Sequence, residues 1–276
     1  MSTATLLDHV GICATDPRPL WAAYERLGFT LTPVAQQSGG SPPTLLGTGN
    51  RCAMLRRGYL EFLGILDPSL FDNGLSRFLD RYQGQHIVAF AMADAEANLA
   101  RLRAAGLDIP GIAWLERPVE APDGPRARFA RLPFPDAPEG RLQLIQHLTP
   151  ELLGQEPWLD HANHAVALEE SLLIAATPAE SAARLSRLCG LLLLPDPAGG
   201  FAVPLPEGGR LRILPPEALD AVLPGVVAPT LPWLAGVTVR TDDGNASASA
   251  LPVRPVPGGL MVEPGLAGGT ALVFAA

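Results

Sequence analysis

Apolar runs of strand length return along the chain at Leu6–Ala14, Ile87–Ala93, Ser171–Ala176 and Leu234–Val239. Their length and their Val, Ile and Phe content predict β-strands. A helix start follows three of them. Asp16, Asp94 and Thr177 stand where an N-cap side chain accepts an orphan N–H. Pro17 and Pro178 occupy the first helical position, where a missing N–H costs nothing. Apolar residues then recur at three-to-four spacing: Leu20, Ala23, Tyr24 and Leu27; Ala95, Leu99 and Leu102; Ala182, Leu185 and Leu188. Gly28, Gly106 and Gly190 are placed as C-cap glycines. Asp16 to Gly28, Asp94 to Gly106 and Pro178 to Gly190 each span twelve positions, and a fourth copy opens at Asp242 without a closing Gly. Further strand runs are expected at Thr30–Val34, Arg51–Arg56 and Tyr59–Leu66, then at Ala113–Arg117, Arg126–Leu132 and Arg141–Leu148. The repeating unit is therefore β-α-β-β-β, and a repeat of this kind decides the architecture. The fold class is α+β, with four tandem modules, the last degenerate.

The segment 151–164 divides the copies. It carries Pro157, Trp158 and the polar run His161-Ala162-Asn163-His164. We read residues 1–150 as one domain with the candidate site, and 165–276 as a degenerate second pair. A chain of 276 residues buries roughly 75% of its unfolded surface and needs no staples. Cys13, Cys52 and Cys189 are scattered over apolar runs, which suggests buried thiols in a reducing compartment rather than a disulfide framework. The net charge of −8 and the lack of a basic stripe argue against nucleic acid and anionic membranes as partners. No apolar run reaches the ~18 residues of a membrane span, and the N-terminus has no secretory pattern. A cytoplasmic protein with a small-molecule ligand is expected.

Several polar residues interrupt the apolar strands. Leu7-Asp8-His9-Val10-Gly11-Ile12 opens the first module, Leu27-Gly28-Phe29 closes its helix, and Gly47-Thr48-Gly49-Asn50-Arg51 precedes Tyr59-Leu60-Glu61-Phe62-Leu63. In this order the motifs resemble the vicinal oxygen chelate superfamily: glyoxalases, extradiol dioxygenases, and fosfomycin- and bleomycin-resistance proteins. The resemblance covers residues 6 to 148 by motif and the rest by architecture. It implies that modules pair, within the chain or across a homodimer, into half-open barrels. It also implies a divalent metal (Zn, Ni, Mn or Fe(II)) held by the first and last strands of each module, where it stabilises an oxyanion.

Carried over residue by residue, the resemblance puts His9 and Glu61 at ligand positions of the first module, with Glu61 able to double as a catalytic base. The bland reading of His9 is a satisfied core histidine; that of Glu61 is a carboxylate facing solvent or paired with Arg51. In the second module, counting seven back from Asp94 lands on Ile87, so His86 reaches the metal only if a β-bulge shifts it. Gln143 lies at the place of Glu61 and is a neutral donor of the kind some glyoxalases use. Asn50 and Arg51 could bind an anionic or carbonyl group, although Gly47-Thr48-Gly49-Asn50 also reads as a plain turn. His147 reads as a strand-end residue at the rim, and Trp21, Tyr24 and Phe29 as core. His161 and His164 have ligand spacing but fall in a loop. In the second pair Ser171, Ala235, Arg212 and Leu272 fill the corresponding positions, so the His, His, Glu triad of extradiol dioxygenases is missing there. Two functions follow: a metal-dependent enzyme using His9, Glu61 and either His86 or Gln143, or a metal-free binding cup on the same walls.

Overall fold

The three longer helices start where the sequence marks them, although Thr177 does not cap its helix by a side-chain bond and donates instead to Glu180 Oε2 at 3.2 Å. In the computed structural model, which describes residues 3–39, 44–119, 124–134, 137–243 and 251–276, Asp16 Oδ1 accepts from the Arg18 amide at the start of α1 (Pro17–Arg26). Asp94 caps the amide of Ala97 in the same way. Gly190 ends the third helix at φ +71, a left-handed conformation that suits glycine. The fourth copy, opening at Asp242, runs into residues 244–250, which lie outside the described residues.

The first module is β1 (Ala4–Ala14), α1, β2 (Ala35–Gly39), β3 (Thr44–Met54) and β4 (Tyr59–Ile65). After a short helix, α2 (Ser76–Leu79), the second is β5 (Gly84–Met92), α3 (Ala95–Ala104), β6 (Ala113–Pro118), β7 (Arg126–Phe134) and β8 (Arg141–His147). A 3₁₀ turn at Pro150–Leu152 and α4 (Glu156–Leu159) lead into β9 (Ala165–Ile174), α5 (Pro178–Cys189), β10 (Leu194–Pro195), β11 (Phe201–Pro204) and β12 (Arg210–Leu214). After α6 (Leu219–Val222) come β13 (Trp233–Thr241), β14 (Val253–Val256), β15 (Gly259–Val262) and β16 (Ala271–Ala275).

Every module has the same strand order. Its first strand pairs in parallel with its last, and the middle strands continue outward, as in β1-β4-β3-β2 and β5-β8-β7-β6. First strands then pair antiparallel, β1 with β5 and β9 with β13, so the modules couple within the chain. Among the described residues the Leu234–Gln85 pairing of β13 with β5 joins the two pairs into a sixteen-stranded open sheet. The modules are thus α+β repeats arranged as two half-open barrels.

The largest buried cluster draws on both pairs, from Leu7, Tyr24 and Phe62 to Leu185, Leu211 and Phe274. Trp21, Tyr24 and Phe29 belong to it, as expected. All three cysteines are buried. The 151–164 segment is stitched to the first module: His161 accepts from the Thr30 amide at 3.0 Å through Nδ1 and donates to the Met54 carbonyl at 2.7 Å through Nε2. Among the described residues no helix is long and apolar enough to cross a membrane.

Two local expectations fail. Thr30–Val34 is not a strand, because β2 begins at Ala35. Arg51 explains the difference: its guanidinium donates to the carbonyls of Leu31 and Thr32, which a strand neighbour would otherwise take. Gly47-Thr48-Gly49-Asn50 is not a turn but the middle of β3, paired with β4 from Thr48 opposite Ile65 to Asn50 opposite Leu63. Small residues fit there because a Cβ on Gly47 would lie 2.4 Å from the Asp67 carbonyl.

Candidate active site in the first module pair

Alternation along a strand sends every second side chain to the concave face. On β1, β4, β8 and β3 this puts His9, Glu61, Gln143 and Asn50 on one wall of a cavity of about 930 Å³, together with Tyr59 and Arg141. The four polar groups are all buried. Asn50 Nδ2 donates to Glu61 Oε1 in a short hydrogen bond, which fixes the carboxylate in the cup.

An irregularity in β1 adds a group that alternation would have sent away. Leu7 lies opposite Phe90 and His9 opposite Ala89, so Asp8 is an extra residue in the ladder. Its carboxylate turns behind His9 and bridges two imidazoles, with Oδ1 2.6 Å from His9 Nδ1 and Oδ2 2.7 Å from His147 Nε2. Burial is the largest influence on Asp8 and raises its pKa. The hydrogen bonds from His147 and His9, with the attraction of both rings, outweigh it and hold the carboxyl well below the usual range. His147 is therefore not an idle strand-end residue. Because Asp8 accepts at Nδ1 of His9, that ring carries its proton there and accepts at Nε2 from the Gln143 amide nitrogen Nε2, 3.4 Å away. Tyr59 stacks on the His9 ring at 4.5 Å between centroids and fixes its plane.

His86 is placed elsewhere. The bulge that could have brought it to the cup exists: Gly11 faces Ile87 and Ile12 faces Gln85, leaving His86 as the extra residue of β5. Yet Ile87, not His86, is on the cavity wall. His86 is fully buried against the rings of Tyr82 and Phe78, and its Nε2 meets the Tyr82 carbonyl at 2.7 Å. Burial pushes its pKa down to about 4, against the pull of that carbonyl. It is a core histidine, and the expectation of a metal ligand at this position does not hold. Arg51 is corrected too. Its neighbours Asn50 and Cys52 face the cavity, whereas Arg51 points to the other side of β3 and pairs with Glu25 at 2.7 Å.

The donors that remain in the cup are His9 Nε2, the Glu61 carboxylate and Gln143 Oε1. Among the described residues no three His, Cys, Asp or Glu side chains are grouped so that they could hold a metal ion, so a third donor in the cup would be the amide. Gln143 Oε1 fits that part, since it is buried without a hydrogen-bond partner. A carboxylate on the outer nitrogen of a ligating histidine is the usual support of a metal site, and Asp8 supplies it. At the fourth family position stands Ile87. Imidazole nitrogen, carboxylate and amide oxygen are donor types a divalent cation takes, and the wall beside them at Ile87 is apolar.

Sequence reasoning passed over Asp8 as a separate group, and over Arg131 and Arg141. The signals were present: a carboxylate beside His9 inside an apolar strand, and an arginine two residues before Gln143, hence on its face of β8. The second pair has its own cavity of about 440 Å³. Its charged groups are consumed by one another: Arg210 with Glu170 at 2.6 Å, and Arg240 with Glu169 at 3.2 Å. Ser171 Oγ there accepts from Gln85 Nε2 at 2.7 Å.

Paired modules around a polar cup define the vicinal oxygen chelate fold. The family model described as a glyoxalase-like domain matches residues 7–189, and the chain belongs to that family. Among solved structures it is similar to a hypothetical protein from Staphylococcus aureus, at 13% identity over 97% of both chains with a TM-score of 0.67. The Mn(II)-bound glyoxalase from Novosphingobium aromaticivorans matches at 14% identity over 99% of this chain and 82% of its own, with a TM-score of 0.57. A mutant of 4-hydroxymandelate synthase from Streptomyces coelicolor matches at 14% identity over 90% and 75%, with a TM-score of 0.56. No curated protein sequence matches the chain.

Proposed function

We propose that the first cup is the active site of a metal-dependent glyoxalase-like enzyme acting on an oxygenated small molecule. The observation that carries this reading is the Asp8-backed imidazole of His9, whose Nε2 shares one wall with Glu61 and Gln143. A divalent ion of the Zn, Ni, Mn or Fe(II) kind would be held by His9 Nε2, a Glu61 oxygen and Gln143 Oε1, and would supply charge stabilisation to an oxyanion of the substrate. Asp8 keeps His9 in the tautomer that offers Nε2. Asn50 holds one oxygen of Glu61, and the other can take a proton from a carbon beside a carbonyl group. The family match and the Mn(II)-bound structural neighbour support this reading.

The experiment is a turnover screen of metal-loaded protein with oxoacids, thiol adducts of oxoaldehydes and catechols, run beside Glu61→Gln. Turnover that disappears in a folded Glu61→Gln variant is expected. Turnover unchanged in that variant, or none across the panel, overturns the proposal.

A second reading is a metal-free binding cup, and Ile87 favours it. It stands where the second module would supply a ligand and presses on Gly11, filling that corner with hydrocarbon. In this reading His9, Glu61 and Gln143 orient a ligand by hydrogen bonds alone.

A further inference from the structure

The charge on the cavity wall is not balanced. Three arginines line it, Arg128, Arg131 and Arg141, against Glu61 and Glu116. Glu116 is already tied to Arg126 at 2.7 Å. Neither Arg131 nor Arg141 forms an ion pair among the described residues, and Arg131 Nε is buried without a hydrogen-bond partner. A guanidinium cannot shed its proton to escape burial, so an unpaired one inside a protein calls for an anion. Arg141 is also fixed in place. Its Nη2 donates to the Asn73 carbonyl at 2.8 Å, and the guanidinium lies 5.5 Å from the Phe78 ring centre.

The same cavity has an apolar side. Phe71, Trp114 and Leu148 line it while remaining 68%, 64% and 40% exposed. Large apolar side chains left in water on a cavity wall mark a place where a ligand covers them. The volume of about 930 Å³ also exceeds what a three-carbon metabolite fills; it lies toward the upper end of the roughly 300–1,000 Å³ of pockets for drug-sized ligands.

We infer that the ligand of this cup is an amphipathic organic anion, its carboxylate or equivalent group on Arg131 and Arg141 and its apolar body against Trp114 and Phe71. This rests on the proposal that the first cup is the functional site, and it names the class of molecule the site takes. The arginines then act as specificity-determining residues, placing the anionic end within the cup that holds Glu61 and His9.

The test is calorimetric binding of naphthalene-2-carboxylate, the neutral naphthalene-2-carboxamide and acetate to the full chain, once with a chelator present and once after loading with Mn(II). The carboxylate should bind at least ten-fold more tightly than either other probe, in the chelator as well. Arg131→Met and Arg141→Met should each weaken the carboxylate by ten-fold or more and leave the carboxamide unchanged, while Arg131→Lys should recover part of the loss. Trp114→Ala should weaken both aromatic probes and spare acetate. Equal affinity for carboxylate and carboxamide, or carboxylate binding indifferent to both arginine variants, overturns the inference. Selective carboxylate binding seen only after Mn(II) loading also overturns it, because the ion and not the arginines would then hold the anion. Failure to bind Mn(II), with the arginine dependence intact in chelator, sinks the metalloenzyme reading and leaves this inference standing.

Discussion

The carboxylate of Asp8 lies 2.6 Å from Nδ1 of His9, although the two are sequence neighbours on one strand, because a bulge in β1 turns both to the same side. Asp8→Asn removes the charge that sets the His9 tautomer. Mn(II) affinity is expected to fall by about 10- to 100-fold, as for other partners of ligating histidines. Asp8 also has a stability signature. Its folded pKa is lowered, so its contribution is complete above its unfolded value of about 3.9 and is lost as the pH falls further. Below about pH 4 the melting temperature should fall with pH more steeply in the wild type than in Asp8→Asn.

Burial keeps the His86 ring neutral. Burial holds its pKa at about 4, so the unfolded chain takes up a proton near pH 6.5 that the folded chain refuses. This contribution is intact above about pH 6.5 and is lost as the pH falls toward 4. His86→Phe should remove that part of the pH dependence of stability and leave Mn(II) binding unchanged. Loss of metal in a folded His86→Phe protein would return His86 to the ligand set.

Gly11 and Ile87 face each other across β1 and β5. A Cβ on Gly11 would lie 2.7 Å from two carbons of Ile87. Gly11→Ala should destabilise by about 1–3 kcal/mol, the range for overpacking, and Ile87→Ala in the same chain should recover only part of it in a double-mutant cycle read by chemical denaturation, because alanine keeps the Cβ that is one of the two close carbons. Ile87→His tests the corner differently: it adds the missing donor and should raise Mn(II) affinity. No gain in a folded Ile87→His variant would mean that Ile87 does not stand at a ligand corner.

The two module pairs share their core, and we propose that they unfold together and are not independent domains. Tyr24 Oη donates to the Ala267 carbonyl at 3.2 Å, and Phe29 stacks on Phe274 at 6.1 Å. The full chain should then give one unfolding transition, coincident by tryptophan fluorescence and far-ultraviolet circular dichroism. A fragment of residues 1–150 should melt without cooperativity; a cooperative fragment would restore the division drawn from the sequence.

The repeat was legible because caps and periodicity are local. Asp16, Asp94 and the closing glycines mark helix ends without help from the rest of the chain. His9, Glu61 and Gln143 could be placed on the first and last strands of their modules through the family motifs, whereas Asn50 was reached only as a residue ahead of a strand. Bulges break strand alternation. Nothing in the sequence around Asp8 announces that it shares a side with His9, and nothing around His86 says that its bulge turns it into the core. Arg51 was misplaced because its position between two cavity residues, Asn50 and Cys52, fixes its side only once β3 is known to run through Gly47-Thr48-Gly49. The arginines of the cup escaped notice because their meaning comes from missing partners, a property of the packed site.

The most direct test of the central claim is titration of chelator-stripped protein with Mn(II), followed by electron paramagnetic resonance of the free ion. The wild type should bind close to one equivalent per chain. His9→Ala and Glu61→Gln should lose it, and His86→Phe should keep it. An unaltered equivalent in both His9→Ala and Glu61→Gln, or no binding by the wild type of Mn(II), Zn, Ni or Fe(II), would contradict the account.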